Sequence, residues 1–216
     1  MHKINLVIQW YWYFYINTST IIDYSTRSIT IEEQNIRQLL ENIKSGSVNI
    51  NEGIKQLKRL PFEDLGFAKV DHHRAIRQGF PEVVFGQGKT PDQIAQICQA
   101  IMSRSTKVIV TRAEYIAFEN VQKIFSEAKY DEHARIITIE KPIDNPIPKI
   151  PGILVACAGT SDLPVATEAA ITAEMMGCEV ERISDVGVAG IHRLFDKLDI
   201  LLESKVIIAV AGMEGA

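Results

Sequence analysis

Apolar residues recur at helical and strand-like spacings through the first two thirds of the chain. From Ile31 to Ile43 they return every three to four residues, which predicts an amphipathic helix. A second, shorter helix is predicted from Asn51 to Leu60. Further on, β-branched runs at Lys107–Thr111 and Arg135–Ile139 predict strands that flank a helical segment, Ala113–Ala128.

The segment Pro91–Met102 has a well-marked helix start. Thr90 and Gln93 have the spacing of a capping box, and proline occupies the first helical position. A strand is predicted just before it, at Glu82–Phe85. We therefore expect residues 31–140 to form a small N-terminal α/β domain.

A proline-rich stretch, residues 141–151, separates this domain from the rest of the chain. Prolines with polar spacers favour an extended linker, so the stretch predicts a domain boundary. Strand and helix patterns then alternate with short turns through residues 152–216. The predicted strands are Ile153–Ala156, Glu179–Ile183 and Lys205–Val210, and the predicted helices are Leu163–Met176 and Ile191–Glu203. This alternation is typical of a parallel sheet covered by helices.

Residues 1–30 differ in composition from the rest of the chain. They hold both tryptophans, and the apolar run Ile4–Ile16 is interrupted by Asn5 and Gln9. The run is shorter than the roughly 20 residues that a membrane-spanning helix needs. No small-residue cleavage site of a signal peptide follows it. We expect residues 1–30 to be an extension outside the fold.

The amino-acid composition limits the kinds of molecule that the protein is expected to bind. Of the 216 residues, 46% are hydrophobic, which is enough for buried cores, and the formal net charge is −4. This charge gives no broad cationic surface for nucleic acid. Three cysteines without paired spacing argue against a disulfide framework and fit a reducing cytoplasm. We therefore expect a cytoplasmic protein that binds neither nucleic acid nor membrane.

Three loops follow the three predicted strands of the second domain: Gly159–Pro164, Asp185–Arg193 and Gly212–Gly215. Open parallel sheets bind ligands at the carboxyl ends of their strands, so the loops are expected to converge there. The first loop opens a helix, where free N–H groups can hold a phosphate. The alternative is that Ser161 or Asp162 merely caps that helix.

These loops carry a family resemblance. In order and spacing they resemble the aminoimidazole ribonucleotide carboxylase (PurE) domain of purine synthesis. With the N-terminal segments they are more similar to the LarB family, pyridinium-3,5-biscarboxylic acid mononucleotide synthases of nickel-pincer cofactor synthesis. The segments that carry the resemblance are Asp64–Asp71, Arg77–Glu82, Gly88–Pro91, Ala158–Ala166, Asp185–Arg193 and Ala211–Ala216.

The resemblance implies a fold and a set of site residues. The second domain is expected to be a partial flavodoxin-like three-layer αβα domain, like the aminoimidazole ribonucleotide carboxylases. Glu214 and His192 are the implied catalytic residues. The implied substrate- and phosphate-binding residues are Gly159, Thr160, Ser161, Asp162, Asp185, Gly190, Arg193, Gly212 and Gly215.

The resemblance also implies a reaction. A cysteine adds to C6 of the pyridinium ring of nicotinic acid adenine dinucleotide, C5 attacks carbon dioxide, and loss of the C5 proton expels the thiolate. Hydrolysis of the phosphoanhydride then releases AMP. Carbon dioxide or bicarbonate is the co-substrate, and the partner is a small-molecule dinucleotide. We expect a homo-oligomer when the protein is full length.

The family's nucleophilic cysteine lies beyond the Gly212–Gly215 turn, past Ala216. The last predicted strand also has no covering helix after it. The chain therefore looks truncated, and we expect it to be inactive as written. Cys157 is not expected to replace the nucleophile, because the end of a strand beside the turn calls for a small buried residue.

Other interpretations remain open. One is an aminoimidazole ribonucleotide carboxylase of purine synthesis, and another is a non-enzymatic nucleotide-binding regulator similar to circadian phase modifiers. No metal site is predicted: Asp71–His73 places adjacent side chains on opposite faces of a strand. Magnesium would suit a dinucleotide's phosphates, but no motif requires it. Gly86–Thr90 resembles the end of a phosphate-binding loop, but Val83 stands where that loop has its first glycine.

Overall fold

The fold is that of a computed structural model, which describes residues 4–8, 31–59, 62–72, 74, 80, 82–143, 148–212 and 215. The chain divides into two compact units. One comprises residues 21–130 and 136–142, and the other comprises residues 1–20, 131–135 and 143–216. The first contains the mixed sheet and the second contains the parallel sheet.

The first unit begins with two helices, α1 (Ile31–Lys44) and α2 (Ile50–Arg59), at the positions that the apolar spacing predicts. A short antiparallel hairpin follows, made of β2 (Glu63–Asp64) and β3 (Lys69–Val70). Gly66 in its turn has a φ of 83°, a left-handed conformation that glycine adopts without strain.

A four-stranded mixed sheet with two helices follows in the described part of this unit. Its elements in chain order are β4 (Val83–Phe85), α3 (Pro91–Met102), β5 (Lys107–Thr111), α4 (Tyr115–Gln122), β6 (Lys129–Asp131) and β7 (Ile136–Glu140). The strand order is β4-β5-β7-β6, with β4 parallel and β7 antiparallel to β5. The α4 helix is shorter than predicted, because residues 123–128 form turns instead, and β6 is a strand that the pattern missed.

The core of the first unit lies between α3, α4 and this sheet. The sheet contributes Val108, Val110, Ile137 and Ile139, which are fully buried. Ile94, on α3, packs in the same cluster. Because β5 is buried along most of its length, its β-branched residues form a continuous apolar run instead of alternating with polar residues.

The second unit is a parallel α/β layer structure, as expected. Its elements are β1 (Ile4–Ile8), β8 (Ile150–Cys157), α5 (Leu163–Met175), β9 (Cys178–Ile183), α6 (Ile191–Phe195), α7 (Leu198–Glu203) and β10 (Val206–Val210). The strand order is β1-β10-β8-β9, and each neighbouring pair is parallel.

Helices cover both faces of this sheet. On one face, Ala166 and Ala170 of α5 pack with Val155 and Val210. On the other, Leu194 and residues of α7 pack against Leu154 and its neighbours on β8 and β9. The unit is therefore a three-layer αβα structure, consistent with the flavodoxin-like fold that the sequence resemblance implied.

Two details of the second unit correct the sequence predictions. Ile4–Ile8, expected to lie outside the fold within residues 1–30, pairs in parallel with β10. The physical reason is that an edge strand leaves a row of N–H and C=O groups that another strand can satisfy. The predicted helix Ile191–Glu203 is two short helices separated by a turn at residues 196–197. The proposed domain limits, with a linker at 141–151, stay predictions; β8 already begins at Ile150.

Candidate functional site

The loops that follow β8, β9 and β10 lie at one edge of the parallel sheet. Because all three strands are parallel, their carboxyl ends point the same way. The Ala158 N–H donates to the Val210 carbonyl at 2.9 Å, which joins the chain just before the first loop to the end of β10, two residues before the third loop. The Gly187 N–H donates to the Ala158 carbonyl at 3.0 Å, which joins the second loop to the same residue. The edge therefore collects the three segments that the sequence singled out.

The first loop is a tight turn stabilised by Asp162. The Gly159 N–H donates to Oδ2 of Asp162 at 2.9 Å, and the Asp162 N–H donates to the Gly159 carbonyl at 3.0 Å. Residues 160–162 form one 3₁₀ turn that leads into α5. The Asp162 side chain makes no cap hydrogen bond at the start of α5 itself. Its carboxylate instead holds the turn in shape.

The same turn presents two exposed hydroxyl residues, Thr160 and Ser161. Their backbone N–H groups have no acceptor among the described residues. A helix start leaves such groups free and carries a partial positive charge from the aligned peptides. Since the carboxylate of Asp162 already occupies the Gly159 N–H, the donors left for an anion are those of Thr160 and Ser161.

The second loop is bound against the end of β8. The Val186 N–H donates to the Cys157 carbonyl at 3.2 Å, next to the Gly187 bond described above. A Cβ on Gly187 would lie 2.9 Å from the Ala158 carbonyl oxygen, so only glycine fits this close approach. Asp185 takes a φ of 59° just before these bonds. A non-glycine residue in this left-handed region is uncommon and is strained unless its surroundings hold it.

Arg193 is the group that holds Asp185. Its Nη1 forms an ion pair with Oδ2 of Asp185, and its Nε donates to the Gly190 carbonyl at 3.5 Å. The guanidinium lies across Gly190 so closely that a Cβ there would be 2.5 Å from Nε and Nη2. Asp185, Gly190 and Arg193 therefore form one unit, although the sequence predicted them only individually.

The remaining predicted residues lie along the same edge or outside the described part. His192 is exposed in the first turn of α6, next to Arg193. Gly212 is exposed after β10, and Gly215 has a φ of 72° and donates to the Gly212 carbonyl at 3.4 Å. Glu214, the other implied catalytic residue, lies outside the described residues.

Cys157 ends β8 between these loops, and its surroundings disfavour a thiolate. Burial raises the pKa of its thiol, and the carboxylates of Asp162 and Asp185 raise it further, while a hydrogen bond with the Asp185 backbone lowers it. The side chain is 1% exposed and belongs to the core between β8 and α5. A reactive cysteine needs a lowered pKa and access, so Cys157 has a packing role here.

Beside the Asp185 loop the structure opens a cleft that the sequence did not indicate. Its volume is about 470 Å³, and it lies between the end of β9 and the helices α6 and α7. Its lining is contributed by Arg182–Val186, Arg193, Asp196, Lys197 and Ile200. Arg182, Ser184, Asp196 and Lys197 were not among the predicted site residues. The spacing of these residues in the sequence does not predict that they share a site. Residues 196–200 reach the cleft because the chain turns between α6 and α7.

The histidine motif Asp71–His73 belongs to the first unit and lies far before these loops in the sequence. His72 is buried, and its Nε2 is 3.0 Å from Oε2 of Glu63. The neighbouring His73 lies outside the described residues. Across the described ranges, no group of three or more histidine, cysteine or acidic side chains is placed to hold a metal ion.

The glycine-rich segment before α3 has a structural role. The Gln93 N–H donates to Oγ1 of Thr90 at 3.2 Å, and the Thr90 N–H donates to Oε1 of Gln93 at 3.0 Å. Lys89 turns back to donate to the Phe85 carbonyl at 2.8 Å. The predicted capping box is therefore confirmed.

Of the helices in the described parts of the chain, none combines the length and apolar character needed to cross a bilayer.

Comparison with known proteins identifies the family. Residues 62–141 match the sequence model of the LarB/PurE-like N-terminal domain. The chain is also 36% identical over 196 residues to an uncharacterized protein, MJ0165, of Methanocaldococcus jannaschii, an alignment that covers 85% of this chain and 74% of that protein. The chain therefore belongs to the LarB/PurE-like family of carboxylase-like enzymes.

Proposed function

We propose that the protein is the synthase that carboxylates the pyridinium ring of nicotinic acid adenine dinucleotide at C5 and hydrolyses its phosphoanhydride. The products are pyridinium-3,5-biscarboxylate mononucleotide and AMP. The observation that carries the proposal is the meeting of three loops at one sheet edge, in a chain with the family's N-terminal domain. The loops at that edge carry anion donors, an imidazole and an anchored guanidinium.

In this proposal the first loop binds a substrate phosphate. The N–H groups of Thr160 and Ser161 donate to it, and the dipole of the 13-residue helix α5 favours the negative charge. Asp162 is a positioning residue, because its carboxylate holds the Gly159 N–H and hence the turn. Arg193, held by Asp185, supplies a second positive charge at the same edge.

The carbon chemistry needs a thiolate and a proton acceptor. The thiolate adds to C6, the electron pair at C5 forms a bond to carbon dioxide, and removal of the C5 proton expels the thiolate and restores the aromatic ring. We assign the proton to His192, which is exposed at this edge, together with Glu214. Cys157 is not assigned as the thiolate, since it is buried in the core between β8 and α5 and burial raises the pKa of its thiol. The family resemblance assigns that role to a different cysteine.

The test is analysis of the reaction products. The protein is incubated with nicotinic acid adenine dinucleotide and carbon-13 bicarbonate, and the products are resolved by mass spectrometry. We expect AMP and a mononucleotide that carries one labelled carboxylate in addition to its own. Turnover of aminoimidazole ribonucleotide without turnover of the dinucleotide would instead establish the purine-pathway alternative.

A further inference from the structure

We propose that the cleft beside the Asp185 loop binds the adenylate half of the dinucleotide, while the first loop binds the phosphate of the nicotinate half. This inference rests on the proposed function for the identity of the ligand. The cleft itself is defined by its lining, which comes entirely from the second unit.

The charges of the cleft suit a phosphate. Its lining carries three cationic side chains, Arg182, Arg193 and Lys197, and two carboxylates, Asp185 and Asp196. Arg182 is paired with Glu174 at 2.6 Å, and Arg193 with Asp185. The ammonium group of Lys197 has no ion-pair partner in the described part of the chain. Lys197 is therefore the cation available to a ligand, with Arg193 beside it.

The floor and rim of the cleft suit a nucleoside. The cleft is lined by Ile183, Val186 and Ile200. Ile183 belongs to the apolar cluster under α6 and α7, and Val186 and Ile200 pack against that cluster. Such a surface accommodates the flat face of a base, while a few polar groups fix its orientation. The Asp196 carboxylate is exposed at the rim and can accept hydrogen bonds from ribose hydroxyls, as acidic residues do in other nucleotide sites.

The position of the cleft points to a dinucleotide rather than a mononucleotide. Asp185 and Arg193 line the cleft, and the loop that they anchor is hydrogen-bonded to Cys157 and Ala158, directly before the phosphate turn. A ligand with two nucleotides joined by a diphosphate can occupy both places, with its diphosphate near Arg193. A mononucleotide substrate leaves the cleft unused.

The test is binding of three probes to the full chain and to two matched lysine variants, measured by calorimetry. The probes are nicotinic acid adenine dinucleotide, nicotinic acid mononucleotide and AMP. The first variant is Lys197→Gln. The control is Lys205→Gln, which makes the same charge change at an exposed residue preceding the amino end of β10, the opposite edge of the sheet.

We expect Lys197→Gln to raise the Kd of the dinucleotide and of AMP about tenfold and to leave the Kd of the mononucleotide unchanged. Lys205→Gln should change none of them. Bound AMP should also protect Lys197, but not Lys205, from acetylation. The cleft assignment would be overturned if the two variants bind AMP or the dinucleotide with the same Kd and bound AMP does not protect Lys197 from acetylation.

The two proposals fail in different ways. If the protein carboxylates the dinucleotide and Lys197→Gln is without effect on binding, the cleft assignment is wrong and the function stands. If AMP binds in a Lys197-dependent way and the dinucleotide is not carboxylated, the cleft is a nucleotide site and the proposed reaction is wrong.

Discussion

At the scale of single residues, the position of Arg193 depends on the absence of a side chain at Gly190. An added Cβ would lie 2.5 Å from the Arg193 guanidinium, which is the movable end of a flexible side chain. The φ of Gly190 is −134°, so alanine does not require a left-handed backbone. We expect Gly190→Ala to displace Arg193 from Asp185, raise the KM for the dinucleotide roughly tenfold, and change the free energy of unfolding by less than about 1 kcal/mol.

Gly187→Ala is the matched control for this prediction. Here the added Cβ meets the Ala158 carbonyl oxygen at 2.9 Å, and this oxygen belongs to the backbone and cannot move aside. We expect a loss of about 1–3 kcal/mol in the free energy of unfolding, measured by urea denaturation. If the two alanine variants have the same stability and the same KM, the distinction between the movable guanidinium and the fixed backbone is wrong.

His192 and Asp162 should affect different kinetic parameters. Because His192 is assigned to proton transfer, His192→Gln is expected to lower kcat by about 10²–10⁴-fold. Asp162→Ala leaves the Gly159 N–H without its acceptor, so the turn loosens and KM should rise more than kcat falls. Steady-state kinetics of both variants check this, and unchanged kcat in His192→Gln would reject the catalytic assignment.

Cys98 should make stability depend on pH in the alkaline range. Burial raises the pKa of its thiol from 9.0 to about 12. As pH rises above 9, the unfolded chain loses this proton before the folded chain does, so the contribution of Cys98 to stability is lost progressively toward pH 12. We expect the difference in unfolding free energy between wild type and Cys98→Ala to shrink from pH 8 to pH 10.5. A difference that is constant with pH would contradict the raised pKa.

At the scale of elements, the start of α3 is specified by its own sequence. Both hydrogen bonds of the Thr90–Gln93 capping box are present, and Pro91 fits the first turn. We expect Thr90→Ala to destabilise the protein by about 1 kcal/mol, because the Gln93 N–H loses its acceptor. Thr90→Ser keeps a hydroxyl acceptor and serves as the control. Equal melting temperatures for the two variants would show that the cap does not contribute.

Elements whose ends depend on tertiary contacts were predicted less well. The α4 helix ends at Gln122 rather than near Ala128, and the predicted helix Ile191–Glu203 is interrupted at residues 196–197. Leu194 and Ile200, on either side of the break, both pack against the sheet cluster. Apolar spacing alone cannot show such a break, because the residues on both sides keep a helical period.

At the scale of the whole molecule, the exposed residues just before β8 should be the first site of proteolysis. Lys149 is exposed there, and it precedes β8, whereas the Lys141 side chain donates to the Met102 carbonyl at 3.0 Å and is followed by proline. We expect limited trypsin treatment to cut first after Lys149, with the fragments identified by mass spectrometry. Lys149→Gln should remove this early cut. Early cleavage after Lys107 in β5 or Arg182 in β9 instead would contradict the two-unit organisation.

Sequence patterns were enough to predict the type and order of most elements, the capping box of α3 and the candidate loops after the strands of the second unit. These features depend on residues at most a few positions apart, so periodicity and turn chemistry are sufficient to predict them. The folded structure was needed to show that Ile4–Ile8 joins the sheet, that Asp185 pairs with Arg193, and that Lys197 lines a cleft. Strand pairing and side-chain contacts of this kind depend on how distant segments satisfy each other's hydrogen bonds and charges, which no local pattern records.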